Sequence, residues 1–149
     1  MALYLVQHGK AFSKEEDPDR RLNETGKHDT RLIAEKAKEF GAEVKKIEHS
    51  GKTRAQETAD IFAEVLDPSG GVHQKDGIKA TDDVTEVELD QAEGTMLVGH
   101  LPFMEKIAAY LTAGDQEKTV IKFQNSGIVC LDKDDDGWHI KWALNPDMT

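Results

Sequence analysis

The sequence predicts a three-layer α/β/α domain, with a mostly parallel sheet and an antiparallel edge hairpin. Three observations predict it. Short apolar runs alternate with stretches of helical period between Leu3 and Leu111. Each helical stretch ends at a glycine or at a Pro- and Gly-rich break. Near the C-terminus, two apolar runs flank Asp134-Asp135-Asp136-Gly137, the composition of a hairpin turn. With 149 residues the chain has the size of one domain, taken as residues 1–149, and that length suffices to bury a core.

The elements follow in order. Leu3–Val6 reads as a buried strand, and the polar stretch from Gln7 to Glu24, holding Pro18, as a loop. Thr25 is placed to cap a helix running to about Phe40, with Ile33, Ala37 and Phe40 on one face and Gly41 as its stop. Val44 to His49 reads as a second strand. Thr53 to Leu66 reads as a second helix, striped by Ala55, Ala59, Phe62 and Leu66, and Asp67-Pro68-Ser69-Gly70-Gly71 ends it. A short strand is expected around Ile78 and a short helix over Asp82 to Gln91. Thr95 to Val98 is a strand. Pro102 opens a helix with Met104, Ile107, Ala108 and Leu111 on its face, and Gly114 stops it. In the closing hairpin, Gly127 to Leu131 and Trp138 to Trp142, the residues Trp138, Ile140 and Trp142 alternate with His139 and Lys141, so one face is expected to be buried.

Composition narrows the function. Lys and Arg number 19 against 29 Asp and Glu, a net charge of −10. So acidic a chain is a poor partner for nucleic acid or anionic lipid. A single cysteine, Cys130, excludes an internal disulfide and a multi-thiolate zinc cluster. The apolar start, Met1 to Val6, is too short for a signal peptide or a membrane span. A soluble cytoplasmic protein is the expectation.

In a parallel α/β sheet, ligands bind beyond the carboxyl ends of the strands. Three segments leave strands there: Gln7-His8-Gly9-Lys10, Ser50-Gly51-Lys52-Thr53-Arg54 and Gly99-His100-Leu101-Pro102. Two histidines, an arginine and two lysines would crowd one rim of an acidic protein. Positive groups at helix starts and glycine turns make an anion site, foremost for phosphate.

These segments, together with Ala55-Gln56-Glu57-Thr58 after the second, resemble the three signature segments of the histidine phosphatase superfamily, which has the phosphoglycerate-mutase-like fold. Arg20-Arg21-Leu22-Asn23-Glu24-Thr25-Gly26 and the short length are similar to the small SixA-type phosphohistidine phosphatases. The resemblance spans nearly the whole chain, and the three segments in order are far more specific than any one alone.

The resemblance implies a mechanism and a site. His8 is the nucleophile, forming a phosphohistidine that water hydrolyses. Arg54 and His100 stabilise the phosphoryl oxygens, with Arg54 able to bind two at once. Gln7, Gly9 and Arg20 complete the phosphate pocket. It implies no metal and no organic cofactor. The implied partner is a phosphorylated His-containing protein, such as a phosphotransfer domain, or else a small phosphorylated compound.

The departures are specific. Gln7 stands where the family has Arg, which keeps a donor and removes a charge. A charge-assisted hydrogen bond contributes about 1.5–3 kcal/mol against about 1 for a neutral one, so weaker phosphate binding is expected. Lys10 stands where SixA-like sequences have an acid, and is expected to restore the missing positive potential. Gly51 replaces the usual Pro. No secure general acid is evident: Asp82, Asp83, Glu86 and Glu88 lie in the right region, but a carboxylate-rich stretch also suits a solvated face. A missing acid fits a labile P–N bond, whose imidazole leaves more easily than an alkoxide. That favours phosphohistidine, or another activated phosphoryl compound, over stable sugar phosphates. A small-molecule phosphomonoesterase and a catalytically impaired phosphate-binding domain remain as alternatives.

Other residues carry plainer readings. Lys52 is expected to face solvent. His28, His73 and His139 have no supporting neighbours and read as structural or exposed. His49 ends a strand beside the pocket, where packing and support are equally open. Cys130 reads as buried packing, and Trp138 and Trp142 as sheet-face residues rather than a base-stacking platform.

Overall fold

The apolar runs assemble into one six-stranded sheet, ordered β3-β2-β4-β1-β5-β6. The computed structural model describes every residue except Asp90, Gln91 and Thr149. Its strands are β1 (Ala2–Gln7), β2 (Lys46–His49), β3 (Val72–Gln74), β4 (Thr95–Gly99), β5 (Ile128–Asp134) and β6 (Gly137–Leu144). The helices are α1 (Glu24–Glu39), α2 (Thr53–Leu66) and α3 (Phe103–Ala113). β1 pairs parallel with β4, which pairs parallel with β2, and β2 with β3. β5 is antiparallel to β1 and to β6. None of the described helices is long and apolar enough to cross a membrane.

Strand alternation builds two cores. On one face, Tyr4, Val6, Ile47, Met96, Val98, Ile128 and Cys130 meet Ile33, Ala37, Ala55, Ala59 and Phe62 of α1 and α2. On the other, Leu3, Leu5, Leu97, Val129 and Leu131 meet Phe103, Met104, Ile107 and Ala108 of α3. Central strands buried on both faces read as continuous apolar runs, as β1 and β4 do. Cys130 is buried, and burial pushes its thiol up to about 11.

Several boundaries differ from the sequence expectation, each for a physical reason. Asn23, not Thr25, caps α1: its Oδ1 accepts from the Gly26 amide at 2.8 Å. Phe40 follows the last helical turn as the C-cap, leaves the apolar stripe and is 65% exposed. Val44 is buried but lies ahead of β2. The third strand is Val72–Gln74 rather than a segment around Ile78. Only Val72 of β3 is even half-buried, so the strand has no apolar pattern to read. Ile78 is fully buried in irregular chain over the second core. Within Asp82 to Gln91 a single 3-10 turn forms over Val84–Glu86, and Asp90 and Gln91 lie outside the described residues.

The hairpin departs most instructively. A bulge at Lys141 pairs Trp142 with Cys130 and Ile140 with Leu131. Alternation therefore breaks. Trp138 and Ile140 join the α3 side, while Trp142 crosses to the other core and meets Tyr4 at a tilt, with ring centroids 6.0 Å apart.

The turn after β1 is clamped against α1. The Asn23 amide donates to the Lys10 carbonyl at 3.0 Å, and a Cβ at Gly26 would lie 2.1 Å from that oxygen. Helix propensity alone favours Ala over Gly by about 1 kcal/mol; the contact reverses the sign. Gly26→Ala is expected to destabilise by about 1–3 kcal/mol, measured by urea unfolding. A stabilised variant would show that the turn yields freely.

Candidate functional site

The carboxyl ends of β1, β2 and β4 bring three sequence segments together. Gln7 pairs with Gly99 in the parallel ladder, and the His8 amide donates to the Gly99 carbonyl at 2.9 Å. This sets His8 and His100 side by side, with ring centroids 5.1 Å apart. Arg54 enters from the first turn of α2, its Nε donating to His8 Nε2 at 3.3 Å.

The hydrogen bonds fix the tautomer of His8. Its Nδ1 lies 2.8 Å from the Gly9 carbonyl, which accepts only, so Nδ1 carries the proton. The Nε2 lone pair is left facing the Arg54 guanidinium. His100 is buried at 4% exposure, and its Nε2 lies 2.6 Å from the Ser50 hydroxyl. Its Nδ1 and the Oε1 of Gln7 are buried without a partner among the described residues. Such orphans are costs that a fold seldom carries without use.

The local charges are positive. Burial, opposed by the Gly9 hydrogen bond and aided by Arg54 and Arg20, pushes His8 down to about 4. Burial first, then His8, Arg54, Lys52 and Arg20, push His100 down to about 3. Arg54 is itself lowered by burial and by Arg20. Both imidazoles are therefore neutral at pH 7, among cations in an acidic chain.

Each sequence candidate can now be placed. His8, Arg54, His100, Gln7 and Gly9 converge on the one rim. Arg20 reaches it from the long loop, and its field acts on His8, Arg54 and His100. Lys52 is exposed, as expected, yet its charge acts on His100. Lys10 is different. Its backbone packs under α1, and its exposed side chain borders a cleft with Asp29, Gln124, Asn125 and Asp147. The cations that lower the two imidazoles are Arg54, Arg20 and Lys52. Gly51 has φ +93°, a conformation closed to proline, so this turn is built on a different backbone. His49 is buried and accepts the Gly51 amide through Nδ1 at 3.1 Å, a support to that turn. His28, His73 and His139 are exposed. Asp83 accepts from the Thr85 amide and hydroxyl, which hold its carboxyl below the usual range, and Asp82 accepts from the Lys79 amide. Among the described residues, no three of His, Cys, Asp and Glu gather as a metal site.

Sequence reasoning missed four supports. Thr58 Oγ1 accepts from the Gly9 amide at 2.9 Å and donates to the Arg54 carbonyl at 2.7 Å, joining the two halves of the rim. Ser50 orients His100. Asn125 Nδ2 donates to the His8 carbonyl at 2.9 Å, and the Ser126 amide to the Gln7 carbonyl at 3.0 Å. The signal for the last pair was the turn composition Asn125-Ser126-Gly127 just ahead of β5, whose antiparallel pairing with β1 begins at that end.

A family model described as the histidine phosphatase superfamily (branch 1) matches residues 3–94. A solved structure of the protein histidine phosphatase SixA complexed with tungstate superposes with TM-score 0.86 at 23% identity, covering 99% of each chain. A SixA putative phosphohistidine phosphatase from Agrobacterium tumefaciens gives TM-score 0.78 at 25% identity over 97% of each chain. A phosphoserine phosphatase from Entamoeba histolytica gives 0.68 at 15% identity over 95% of each. Comparison with curated protein sequences returns no significant match.

Both imidazoles are held below the usual 6.5, so as pH falls the unfolded chain takes up protons first. Stability is then expected to fall as pH drops from 6.5 toward about 4 and about 3. His100→Asn should flatten that decline, read from urea midpoints across the range. An unchanged slope would mean that His100 titrates normally.

Proposed function

This chain belongs to the histidine phosphatase superfamily and is by that membership a phosphatase; from this premise we propose that it hydrolyses a phosphohistidine carried by a protein, through a covalent phosphohistidine on His8. The observation that carries the reading is the neutral His8, protonated at Nδ1, with its Nε2 lone pair held against Arg54.

The chemistry follows from that geometry. His8 Nε2 attacks phosphorus in line, and the Nε2–P bond forms as the substrate's P–N bond breaks. The departing imidazole takes the bonding pair and a proton from solvent. Arg54 gives up its hydrogen bond to Nε2 and turns its fork to the phosphoryl oxygens. Arg20 adds positive charge, and His100 offers Nδ1–H if the Ser50 hydroxyl donates to Nε2. Water then attacks the phosphoenzyme, the P–Nε2 bond breaks, and inorganic phosphate leaves with neutral His8 restored.

The choice of P–N over P–O rests on charge. The side chains whose charge lowers the two imidazoles are cations, and Asp82 and Asp83 are held by local hydrogen bonds. A stable ester needs an acid for its alkoxide; a P–N bond to imidazole does not. The tungstate held by the SixA neighbour supports an oxyanion site in this fold. The phosphoserine phosphatase among the neighbours keeps a small phosphate ester as the second reading. The partner class is a phosphorylated His-bearing protein, such as a phosphotransfer domain.

The test is phosphate release from a phosphohistidine peptide by wild type and His8→Ala. Turnover that vanishes in the variant, with acid-labile phosphate trapped on the wild-type protein, is the expected result. Faster release from phosphoserine, dependent on Asp83 or Glu86, would favour the small-ester reading. Phosphate bound with no turnover would mean a binding domain. In a second measurement, Gln7→Arg should tighten inorganic phosphate binding about tenfold, while Lys10→Ala should leave it unchanged by calorimetric titration. A loss on Lys10→Ala would restore the compensating role.

A further inference from the structure

We propose that Asp17 is a positioning residue: it builds the turn that holds Arg20 at the rim beside His8. The proposal rests on the phosphatase reading only for what Arg20 does once there. Between β1 and α1 the chain runs out and back. Ala11 bridges Leu22, and the Phe12 amide donates to the Arg21 carbonyl at 2.9 Å. The Leu22 amide donates to Glu57 Oε1 at 2.8 Å, tying the returning chain to α2. At the tip the chain reverses over Asp17-Pro18-Asp19-Arg20, closed by the Arg20 amide donating to the Asp17 carbonyl at 2.9 Å. Asp first and Pro second are the residues such a turn prefers.

The Asp17 side chain does more than fit. Its Oδ1 accepts from the Asp19 amide at 3.1 Å. Its Oδ2 accepts from the Arg21 amide at 3.1 Å and from Arg21 Nε at 2.8 Å. Asp17 is only 7% exposed, while Glu15, Glu16, Pro18 and Asp19 around it are exposed. With the amides on both sides of Arg20 held by one carboxylate, Arg20 takes φ +50°, left-handed for a residue with a side chain. Arg20 Nε then donates to the Phe12 carbonyl at 3.1 Å. Its terminal nitrogens have no partner among the described residues.

Something must hold Arg20 there. Arg20 and Arg54 act on one another as like charges, and the imidazoles beside them are neutral. A long cation on a surface loop in that position would swing into solvent, where hydration is better. The backbone turn and the Nε bond oppose this, and both depend on Asp17. The Arg21 guanidinium, exposed on the outside of the turn, pairs with that carboxylate.

The test reads Arg20 through its neighbour rather than through activity. The His8 imidazole is titrated by NMR in wild type, Arg20→Ala, Asp17→Ala and the double variant. Removing the Arg20 charge should raise the His8 titration. Asp17→Ala should raise it as well, and the double variant should match Arg20→Ala alone. A wild-type His8 titration in folded Asp17→Ala would overturn the proposal, as would a double variant showing the sum of both shifts. Asp17→Asn, which keeps one acceptor oxygen, should fall between wild type and Asp17→Ala. If the alanine variant does not fold, Asp17→Asn decides: a raised titration supports the proposal and a wild-type value overturns it. Inorganic phosphate affinity should fall about tenfold or more in each single variant, with no further loss in the double. Failure of the phosphatase reading shows separately, as turnover surviving His8→Ala.

Discussion

The hydrogen bond from the His8 amide to the Gly99 carbonyl closes the parallel ladder between β1 and β4, and the rest of the site depends on that register. A parallel pair sends both chains out of the sheet at the same edge. His8 and His100 are the first residues beyond it. β2 is parallel to β4, so Ser50 and the start of α2 arrive at the same edge and bring Arg54. β5 runs the other way beside β1, so its beginning lies there too and supplies Asn125 and Ser126. A slip of one residue between β1 and β4 would turn the alternating core residues to the wrong face. The two cores therefore protect the register on which the site relies.

Electrostatics is the second constraint. A buried imidazole among cations loses basicity, because its charged form is both desolvated and repelled. This is a cost to folding in acid and a gain for nucleophilic chemistry, since the neutral ring keeps its lone pair. The same field favours an anion. The site is therefore built as an incomplete set of charges, stabilised by the group it would bind. The Nδ1 of His100, without a partner among the described residues, belongs to the same balance when it carries a proton. At Gln7 an amide stands where the resemblance has a cation, so the demand on Arg54, Arg20 and Lys52 is greater.

Thr58 shows how the halves are held to each other. One hydroxyl accepts from the turn after β1 and donates to the turn that bears Arg54. The separation of the His8 imidazole and the Arg54 guanidinium thereby starts from buried backbone rather than from two flexible side chains. SixA and the phosphoserine phosphatase share the fold with this chain at 23% and 15% identity. A backbone-held scaffold allows such divergence, because substrate choice then lies in the loops around the rim.

The sequence by itself determined the layer order, the parallel sheet and the three segments at its edge. These rest on local signals: apolar runs of period two or 3.6 and breaks at Gly and Pro. His8 and His100 were legible because each stands at the end of such a run, and Arg54 because it opens the helix after the next strand; their roles were legible only through the resemblance of the three segments. Tertiary structure decided the rest. β3 has almost no apolar pattern and exists because β2 offers it an edge. Trp142 changed faces because one extra residue, Lys141, entered the ladder, and no alternation in sequence marks a bulge. Lys10 and Arg20 were both cations in one polar loop. The packing of α1 on the Lys10 backbone took one away from the site, and the turn at Asp17 brought the other to it. Local sequence fixes which residues end a strand; which loop side chains then meet is fixed by contacts between residues far apart in the chain, and those form only when the layers pack.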